Sequence, residues 1–281
     1  MRRSDDRPSR FLPFAAAAGF VALTLAAPGG ASAESLRVGG VYAVTFSGVP
    51  IGRATFSLVA DGGAYSVKIA MKPAAVGKVV AAGVFKAEAA GWLHDGSVFP
   101  ARFLLDSVDT DMENRVSMRL ADGAVKYSEA EPGLGRMEER VPITDSVMAG
   151  GILDPVSSAV AFVADPGSKD VCARKLPIFD GWTRYDIKLS YQGTQPVDLP
   201  TYSGTAVVCA ARWVPVAGHI PDKPSVVYMK NNRSISISYV PVGRSGLMVP
   251  YSISMKTLYG TLNVEAEDLK MTGPLTASAG Q

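Results

Sequence analysis

Polar and apolar residues alternate along most of the chain after residue 38, in short runs separated by glycine, proline and aspartate. Alternation with a period of two is typical of β-strands that have one buried face. The runs lie at residues 38–58, 64–71, 85–92, 100–108, 114–120, 124–129, 172–176, 185–191, 201–212, 226–230, 234–240, 249–258 and 260–269. Their regular spacing predicts a mainly β fold, either a curled antiparallel sheet or an open β-barrel-like fold, with one or two short helices.

Residues 154–165 carry the strongest helix signal in the sequence. Asp154 is a good N-cap and Pro155 suits the first helical position, where its missing N–H is not needed. Val156, Val160 and Val163 would share one face, and Pro166-Gly167 would end the helix. We predict a helix that packs against the core or plugs the barrel.

Residues 74–85 are small and apolar and do not alternate, which favours a short helix or an apolar loop. Such a segment could cap the end of the sheet. It could also form a mobile lid over a ligand cavity, or touch a membrane. The small, polar residues 271–281 predict a disordered tail.

Residues 1–33 have the pattern of a secretory signal peptide. Four arginines within the first ten residues precede an uncharged apolar run at 11–27, and Ala31-Ser32-Ala33 suits a signal peptidase. The apolar run is shorter than the roughly 20 residues that span a bilayer, which favours cleavage before Glu34 over a retained anchor. We therefore expect general secretion to the periplasm and a single mature domain at 34–270 without a transmembrane segment.

The charge balance changes once this segment is subtracted. The whole chain has 28 Lys+Arg and 26 Asp+Glu, and residues 1–33 hold four of the basic and two of the acidic ones, which leaves 24 of each. The sequence also has no local lysine and arginine cluster. Nucleic-acid binding is therefore not expected, and attraction to anionic membranes loses support.

Two cysteines, Cys172 and Cys209, are the only ones in the chain. In an oxidising compartment such a pair predicts a disulfide. Zinc binding is the alternative, but two cysteines without a neighbouring histidine are too few ligands for a closed site.

Residues suited to catalysis are scarce. His94 and His219 both lie in turn-like sequences, and no G-x-S-x-G motif occurs. The acidic group Asp106, Asp109, Asp111 and Glu113 could form a weak cation site, but charge on a solvated edge strand is the commoner reason for such a group. We expect a protein that is not an enzyme and has no cofactor and no bound metal.

The densest local signature is the segment 179–185, Phe-Asp-Gly-Trp-Thr-Arg-Tyr. An exposed cluster of aromatic residues and arginine could bind a saccharide, a peptide or a protein partner. The candidate binding residues are Phe179, Asp180, Trp182, Arg184, Tyr185 and Trp213. The alternative is a β-turn at Asp180-Gly181 whose aromatic residues fold onto the sheet near the disulfide.

Several segments together resemble domain-of-unknown-function family 3108 (DUF3108), a family of exported bacterial envelope proteins. The matching segments are Phe46–Ala54, Trp92–Pro100, Ile152–Ser158, Leu176–Tyr185 and Val214–Gly218. The resemblance implies an envelope location and a curled antiparallel sheet. It implies no catalytic residue. The overall plan is also similar to the bent sheets of periplasmic lipid and lipoprotein carriers, which is an analogy of fold alone.

These observations lead to three functional hypotheses. The first is a non-enzymatic envelope protein that binds an apolar, lipid-like ligand or another envelope component. The second is a structural or scaffolding protein with a packed interior and a protein partner, and the third is a hydrolase acting on envelope polymers. A hollow interior of several hundred Å³ would favour the first hypothesis, and a packed interior the second.

Overall fold

A computed structural model describes residues 35–74, 83–109 and 112–273. Of Asp109, it describes the backbone and not the side chain. All of these residues belong to one compact unit, Ala33–Gln281. The predicted signal peptide at 1–33 lies outside the described residues. So do most of the apolar segment at 74–85 and most of the tail at 271–281.

The described chain forms a single antiparallel sheet that is curled but not closed. Its strands are β1 (Leu36–Phe46), β2 (Val49–Asp61), β3 (Ala64–Pro73), β4 (Val84–His94), β5 (Ser97–Asp109), β6 (Met112–Ala121), β7 (Ala124–Glu131), β8 (Ala161–Phe162), β9 (Lys175–Phe179), β10 (Arg184–Leu199), β11 (Tyr202–Ala217), β12 (Ile235–Pro241), β13 (Leu247–Lys256) and β14 (Thr261–Thr272). The helices are α1 (Pro155–Ala159) and α2 (Pro224–Asn231), with short 3₁₀ turns at Met137–Glu139, Asp145–Met148 and Lys169–Cys172. The predicted fold class is confirmed.

Hairpin connections determine most of the strand order. The order is β7-β6-β5-β4-β3-β2-β1-β14-β13-β12-β11-β10-β9. Strand β8 pairs with Leu247 and Met248 at the start of β13, a part of β13 that does not pair with β14. The last strand therefore returns to pair with the first, Phe46 lying opposite Leu262. Every pairing in the path is antiparallel, as the alternating sequence predicts.

The curled sheet buries one face of most of its strands around α1. Val38, Leu58, Val67, Phe103 and Met118 belong to this main core and are almost completely buried. Helix α1 contributes Val156 to the same core. The predicted role of this helix as a core-packing element is confirmed.

The predicted extent of that helix is wrong. Asp154 caps α1 as expected, but the helix ends at Ala159 and Val160 is already extended. Phe162 then lies opposite Leu247 as part of β8. Valines lose rotamer freedom in a helix and pack well in a sheet, so pairing with β13 outweighs the continuation of a helix.

The predicted strand at 226–230 is also wrong, because these residues belong to α2. Pro224 occupies the start of α2, where it favours a helix, although the Val-Val-Tyr sequence favours a strand. The strand predicted at 172–176 begins later, since Cys172 ends a 3₁₀ turn and β9 starts at Lys175.

A second apolar cluster covers the other face of the sheet at β9–β13. After β8 the chain crosses to this face, and Val171 and Cys172 of the turn Lys169–Cys172 join Val207 and Met248 in this cluster. Cys172 and Cys209 are bonded at the centre of this cluster and are fully buried. The predicted disulfide is confirmed.

The long hairpin of β10 and β11 extends past the rest of the sheet and contacts β14. Thr201 lies between the two strands, and its hydroxyl is within hydrogen-bond distance of an Asp268 carboxylate oxygen, at 2.6 Å, and of the Leu269 carbonyl oxygen, at 2.8 Å. Val197 enters the main core. The hairpin thus covers part of the interior that the curled sheet leaves open.

Among the described residues, no helix has the length and apolar character needed to cross a membrane.

Candidate functional site

The two outermost strands, β7 and β9, meet at a seam where a connecting segment replaces direct strand pairing. On one side, the backbone N–H groups of Gly151 and Ile152 donate to the carbonyl of Gly123 at 2.9 and 3.0 Å. On the other side, Leu153 pairs with β9: its N–H donates to the Pro177 carbonyl at 2.8 Å. A few backbone hydrogen bonds therefore hold the seam together.

A cleft of about 630 Å³ lies along this seam. We call it the seam cleft. Its walls come from the β4–β5 and β6–β7 turns, the segment before α1, and the start of β9. The lining includes Trp92, Val98, Phe99, Pro100, Leu120, Asp122, Ile152, Leu153, Val160, Arg174, Lys175, Leu176 and Pro177. Most of these side chains are apolar, and the volume is in the range of small-molecule sites.

Two aromatic side chains at the seam cleft stand out because they are exposed. Trp92 and Phe99 lie opposite each other on β4 and β5, and their exposed fractions are 59% and 43%. Neither belongs to the main core, which this hairpin supplies instead with Ala89 and Phe103. An exposed tryptophan next to an exposed phenylalanine, beside an apolar cleft, is typical of a binding surface.

Two basic residues define the polar side of the seam cleft. The Arg174 guanidinium lies 5.8 Å from the centre of the Tyr239 ring and donates from Nε to the Val171 carbonyl at 3.1 Å. The Lys175 ammonium is 3.0 Å from a carboxylate oxygen of Asp186. Asp122 is the acidic residue in the lining, and the ammonium of Lys126 lies 3.6 Å from it.

Asp186 forms salt bridges with both Lys175 and Arg184. Burial alone would raise the pKa of Asp186, but hydrogen bonds from Arg184 and Lys175 bring it below its ordinary value. The Arg184 Nη1 to Asp186 Oδ1 distance is 2.7 Å, and Arg184 also donates to the carbonyls of Val147 and Tyr185. Arg184 is therefore a buried residue that ties β10 to the segment after β7.

The six sequence-predicted binding residues surround one turn, but most of them face inward. Phe179 is buried in the main core and Trp182 packs against it. Asp180 accepts hydrogen bonds from the backbone N–H groups of Trp182 and Thr183 at 2.9 and 2.7 Å. The rings of Tyr185 and Trp213 lie 6.0 Å apart, and Tyr185 packs against the second apolar cluster. The described residues 179–185 therefore do not form an exposed cluster of aromatic residues and arginine. They form a folded turn at Asp180-Gly181, as in the alternative interpretation.

Replacing Gly181 with alanine is expected to destabilise this turn. Gly181 has a φ of +102°, and an added Cβ would lie 2.7 Å from Cγ1 and 2.8 Å from Cγ2 of Val116. Backbone strain and the clash together should lower the free energy of unfolding by about 2 kcal/mol. Urea denaturation measures this loss.

Gly96→Ala is the matched control for Gly181→Ala. Gly96 also has a positive φ, of +68°, but nothing lies within 4 Å of an added Cβ. We expect a loss of about 1 kcal/mol there, from strain alone. Equal losses in both variants would contradict close packing of the 180–183 turn on β6.

The two histidines occupy different surroundings. His94 lies at the β4–β5 turn, where its Nε2 is 3.0 Å from Asp95, and both side chains are well exposed. His219 lies edge-on to Trp213, with 6.5 Å between ring centres. Within ranges 35–74, 83–109 and 112–273, no three His, Cys, Asp or Glu side chains are grouped for metal binding.

Only part of the acidic group at β5 and β6 lies among the described residues. Asp106 and Glu113 both lie near the Arg115 guanidinium, at 3.5 and 3.2 Å. Asp111 and the side chain of Asp109 lie outside the described residues. The described part of the group is thus an exposed ion-pair network.

Sequence reasoning missed the seam cleft as a site. Its walls come from six separated parts of the chain, namely Trp92, 96–101, 120–123, 151–153, Val160 and 174–177. The one local signal was the pair Trp92 and Phe99, two large aromatic residues flanking the turn at 94–97. Trp92 is three residues from Ala89, so alternation places it on the opposite face. Phe99 is four residues from Phe103 and reaches that same outer face only because a β-bulge shifts the pairing between Ala90 and Gly91.

These features define a class: a curled, unclosed antiparallel sheet plugged by a short helix, pinned by one disulfide, and carrying an apolar cleft at its seam. The chain belongs to the family described as "Protein of unknown function (DUF3108)", whose model matches residues 41–267. The resemblance found in the sequence is thereby confirmed. No curated protein matches the chain.

A solved structure is similar over most of the chain. It is the crystal structure of a beta-barrel-like protein of domain of unknown function DUF1849 from Brucella abortus. The two share 11% sequence identity with a TM-score of 0.44, and the match covers 85% of this chain and 98% of that one.

Proposed function

We propose that this protein is an exported, non-enzymatic component of the bacterial cell envelope that binds an apolar, lipid-like ligand in the seam cleft. The observation that carries the proposal is the cleft itself, about 630 Å³ in volume and lined mainly by apolar side chains. Periplasmic location rests on the signal-peptide pattern of residues 1–33. The buried disulfide is consistent with an oxidising compartment.

The interior of the curled sheet is a poorer place for such a ligand. Helix α1 and the main core occupy it, and the gap beside Ala159 measures about 80 Å³. Sites for small molecules are typically several hundred Å³. The proposal therefore places the ligand at the seam and not, as in a hollow carrier, inside the sheet.

The chemistry of the cleft indicates what kind of ligand it suits. Apolar walls and the exposed rings of Trp92 and Phe99 favour a hydrocarbon or aromatic portion. Arg174 and Lys175 lie in the same lining and favour a negatively charged or polar head. An amphipathic, anionic molecule such as a fatty acid or a lysophospholipid satisfies both requirements.

The double variant Trp92→Ala/Phe99→Ala is expected to bind palmitate about thirtyfold more weakly than the unaltered protein. Two exposed rings each contribute on the order of 1 kcal/mol when they cover a ligand. Isothermal titration calorimetry with palmitate measures the change. Little loss of stability is expected, since both rings are exposed.

Tyr259→Ser is the matched control for Trp92→Ala/Phe99→Ala. Tyr259 is a still more exposed aromatic residue, at 82%, and is not part of the cleft lining. Palmitate affinity should remain unchanged in this variant. An unaltered protein that binds neither palmitate nor a lysophospholipid would refute the lipid-like ligand.

The packed interior also favours a second candidate function, a structural protein whose outer surface binds a protein partner. Crosslinking in intact cells followed by native mass spectrometry separates the two candidates. A ligand-binding protein should carry a lipid mass, whereas a scaffold should recover a stoichiometric protein partner.

A further inference from the structure

We infer that Arg174 binds the head group of the ligand in the seam cleft, and that the cleft therefore selects ligands that end in a carboxylate or a phosphate over neutral ligands of the same length. This role rests on the proposed function and deepens it, because it assigns head-group selection to one side chain. The neighbouring cation, Lys175, is already paired within the protein.

Among the described residues, three charged side chains line the seam cleft. Arg174 lies directly before β9, Lys175 is the first residue of β9, and Asp122 lies in the β6–β7 turn. The two cations are therefore on the β9 side of the seam, and the acid is on the β7 side. A negatively charged head group is attracted to the first side and repelled by the second.

Lys175 is poorly suited to bind a head group because a buried carboxylate already holds it. Its ammonium lies 3.0 Å from Oδ2 of Asp186, whose side chain is only 8% exposed. Moving Lys175 toward a ligand would take a cation away from this buried carboxylate, and breaking a buried ion pair is strongly unfavourable. We therefore expect Lys175 to contribute little to the binding of an anionic ligand.

Arg174 has no comparable partner. In the described part of the chain it forms no salt bridge with a carboxylate. Its Nε donates to the Val171 carbonyl at 3.1 Å, whereas its Nη2 is buried without a hydrogen-bond partner among the described residues. Buried donors without an acceptor are rare in folded proteins, and a bound ion is one explanation for them. The guanidinium thus brings an unpaired positive charge to the wall of the cleft.

The Arg174 side chain is also held in position before any ligand binds. Its hydrogen bond to Val171 fixes one edge of the guanidinium, and the ring centre of the buried Tyr239 lies 5.8 Å from its central carbon. A side chain that is already ordered loses little freedom when it binds a ligand. Hydrogen bonds from a guanidinium to a carboxylate or phosphate are about twice as strong as those between neutral groups. The cleft should therefore discriminate between charged and neutral head groups.

The positions of the charges also define how the ligand lies in the cleft. Trp92 and Phe99 belong to β4 and β5, on the same side of the seam as Asp122, whereas Arg174 is on the β9 side. Residues 151–153 lie between the two sides and bond to both of them. A ligand with its head group at Arg174 and its apolar chain against the two rings therefore crosses the seam, with the charged end away from Asp122.

Isothermal titration calorimetry with palmitate and with 1-monopalmitoylglycerol tests this role, because the two ligands share one acyl chain and differ in charge. The unaltered protein should bind palmitate more tightly. Arg174→Gln should weaken palmitate binding about thirtyfold and monopalmitoylglycerol binding less than about threefold. Arg174→Lys keeps the charge and should recover most of the palmitate affinity. Lysophosphatidic acid replaces palmitate in a parallel titration, and the tighter of the two ligands shows whether the cleft prefers a phosphate or a carboxylate.

Lys175→Gln is the matched control, since it removes the same charge from the adjacent residue of the lining. Its palmitate affinity should fall less than about threefold. Equal losses in Arg174→Gln and Lys175→Gln, or an equal loss of both ligands in Arg174→Gln, would overturn the role of Arg174. Equal affinity of the unaltered protein for the charged and the neutral ligand would overturn it too, but would leave the proposed function standing. Binding of none of the ligands would refute the proposed function itself.

Discussion

Replacing Cys172 and Cys209 together with alanine is expected to lower the free energy of unfolding by about 4 kcal/mol. The disulfide closes a loop whose ends are 37 residues apart in sequence. Without the covalent link the unfolded chain gains conformational freedom, which stabilises it relative to the folded state. Guanidinium denaturation of the oxidised protein and the double variant measures the difference.

Besides lowering the conformational freedom of the unfolded chain, the disulfide should hold one segment of the folded protein in place. Cys172 follows the crossing of the chain from the main core to the second apolar cluster, and Cys209 lies within β11. We therefore expect amide hydrogen exchange to rise most at 161–174 in the variant. Reduced wild-type protein is the control and should lose similar stability. A loss below about 1 kcal/mol would mean that packing alone holds this segment.

The free energy of unfolding of the wild-type protein should fall by about 3 kcal/mol relative to Asp154→Asn as the pH rises from about 3 to 7. Asp154 is fully buried, and this burial raises its pKa from 3.8 to about 6 despite hydrogen bonds from the Ser157 and Val156 N–H groups. Between pH 3.8 and about 6, Asp154 keeps its proton in the folded protein but has lost it in the unfolded chain. Rising pH therefore favours unfolding until the pH passes about 6, above which the effect is complete.

Asp154→Asn isolates this effect because it keeps an oxygen that can cap α1. In the wild-type protein, Oδ1 accepts the Val156 and Ser157 N–H groups at 2.9 and 2.8 Å, while Oδ2 has no partner among the described residues. Urea denaturation at several pH values measures the difference between the two proteins. A difference that stays constant with pH would contradict a buried titrating carboxyl. Asp154→Ala removes the cap as well and should be less stable than Asp154→Asn by about 1 kcal/mol.

Much of the fold could be predicted because its signals are local. Alternation along β1 to β6 gives each strand a buried face, and turns such as Asp61-Gly62-Gly63 mark where the chain reverses. Hairpin pairing then follows from strand order without long-range information. The disulfide could be predicted for a different reason, since the chain has two cysteines and no others.

The errors occur where long-range pairing decides the conformation. Nothing near Val160 in sequence reveals that the start of β13 pairs with Phe162, so the predicted helix is too long. In the 179–185 segment, the exposure of Trp182 depends on Pro132, whose carbonyl accepts the indole N–H at 2.8 Å. The seam cleft depends in the same way on the approach of β9 to the β6–β7 turn.

The pairing of β14 with β1 has a consequence for how the chain folds. The strands β1 to β7 can form one after another from neighbouring hairpins, but the partner of Phe46, Leu262, is more than 200 residues away in sequence. Contacts between such distant residues form slowly, because a long loop must close first. Until the last strand arrives, one side of β1 presents unpaired backbone N–H and C=O groups, which can pair with other chains. Aggregation during refolding should therefore start at β1, and a peptide with the sequence of β14 should suppress it.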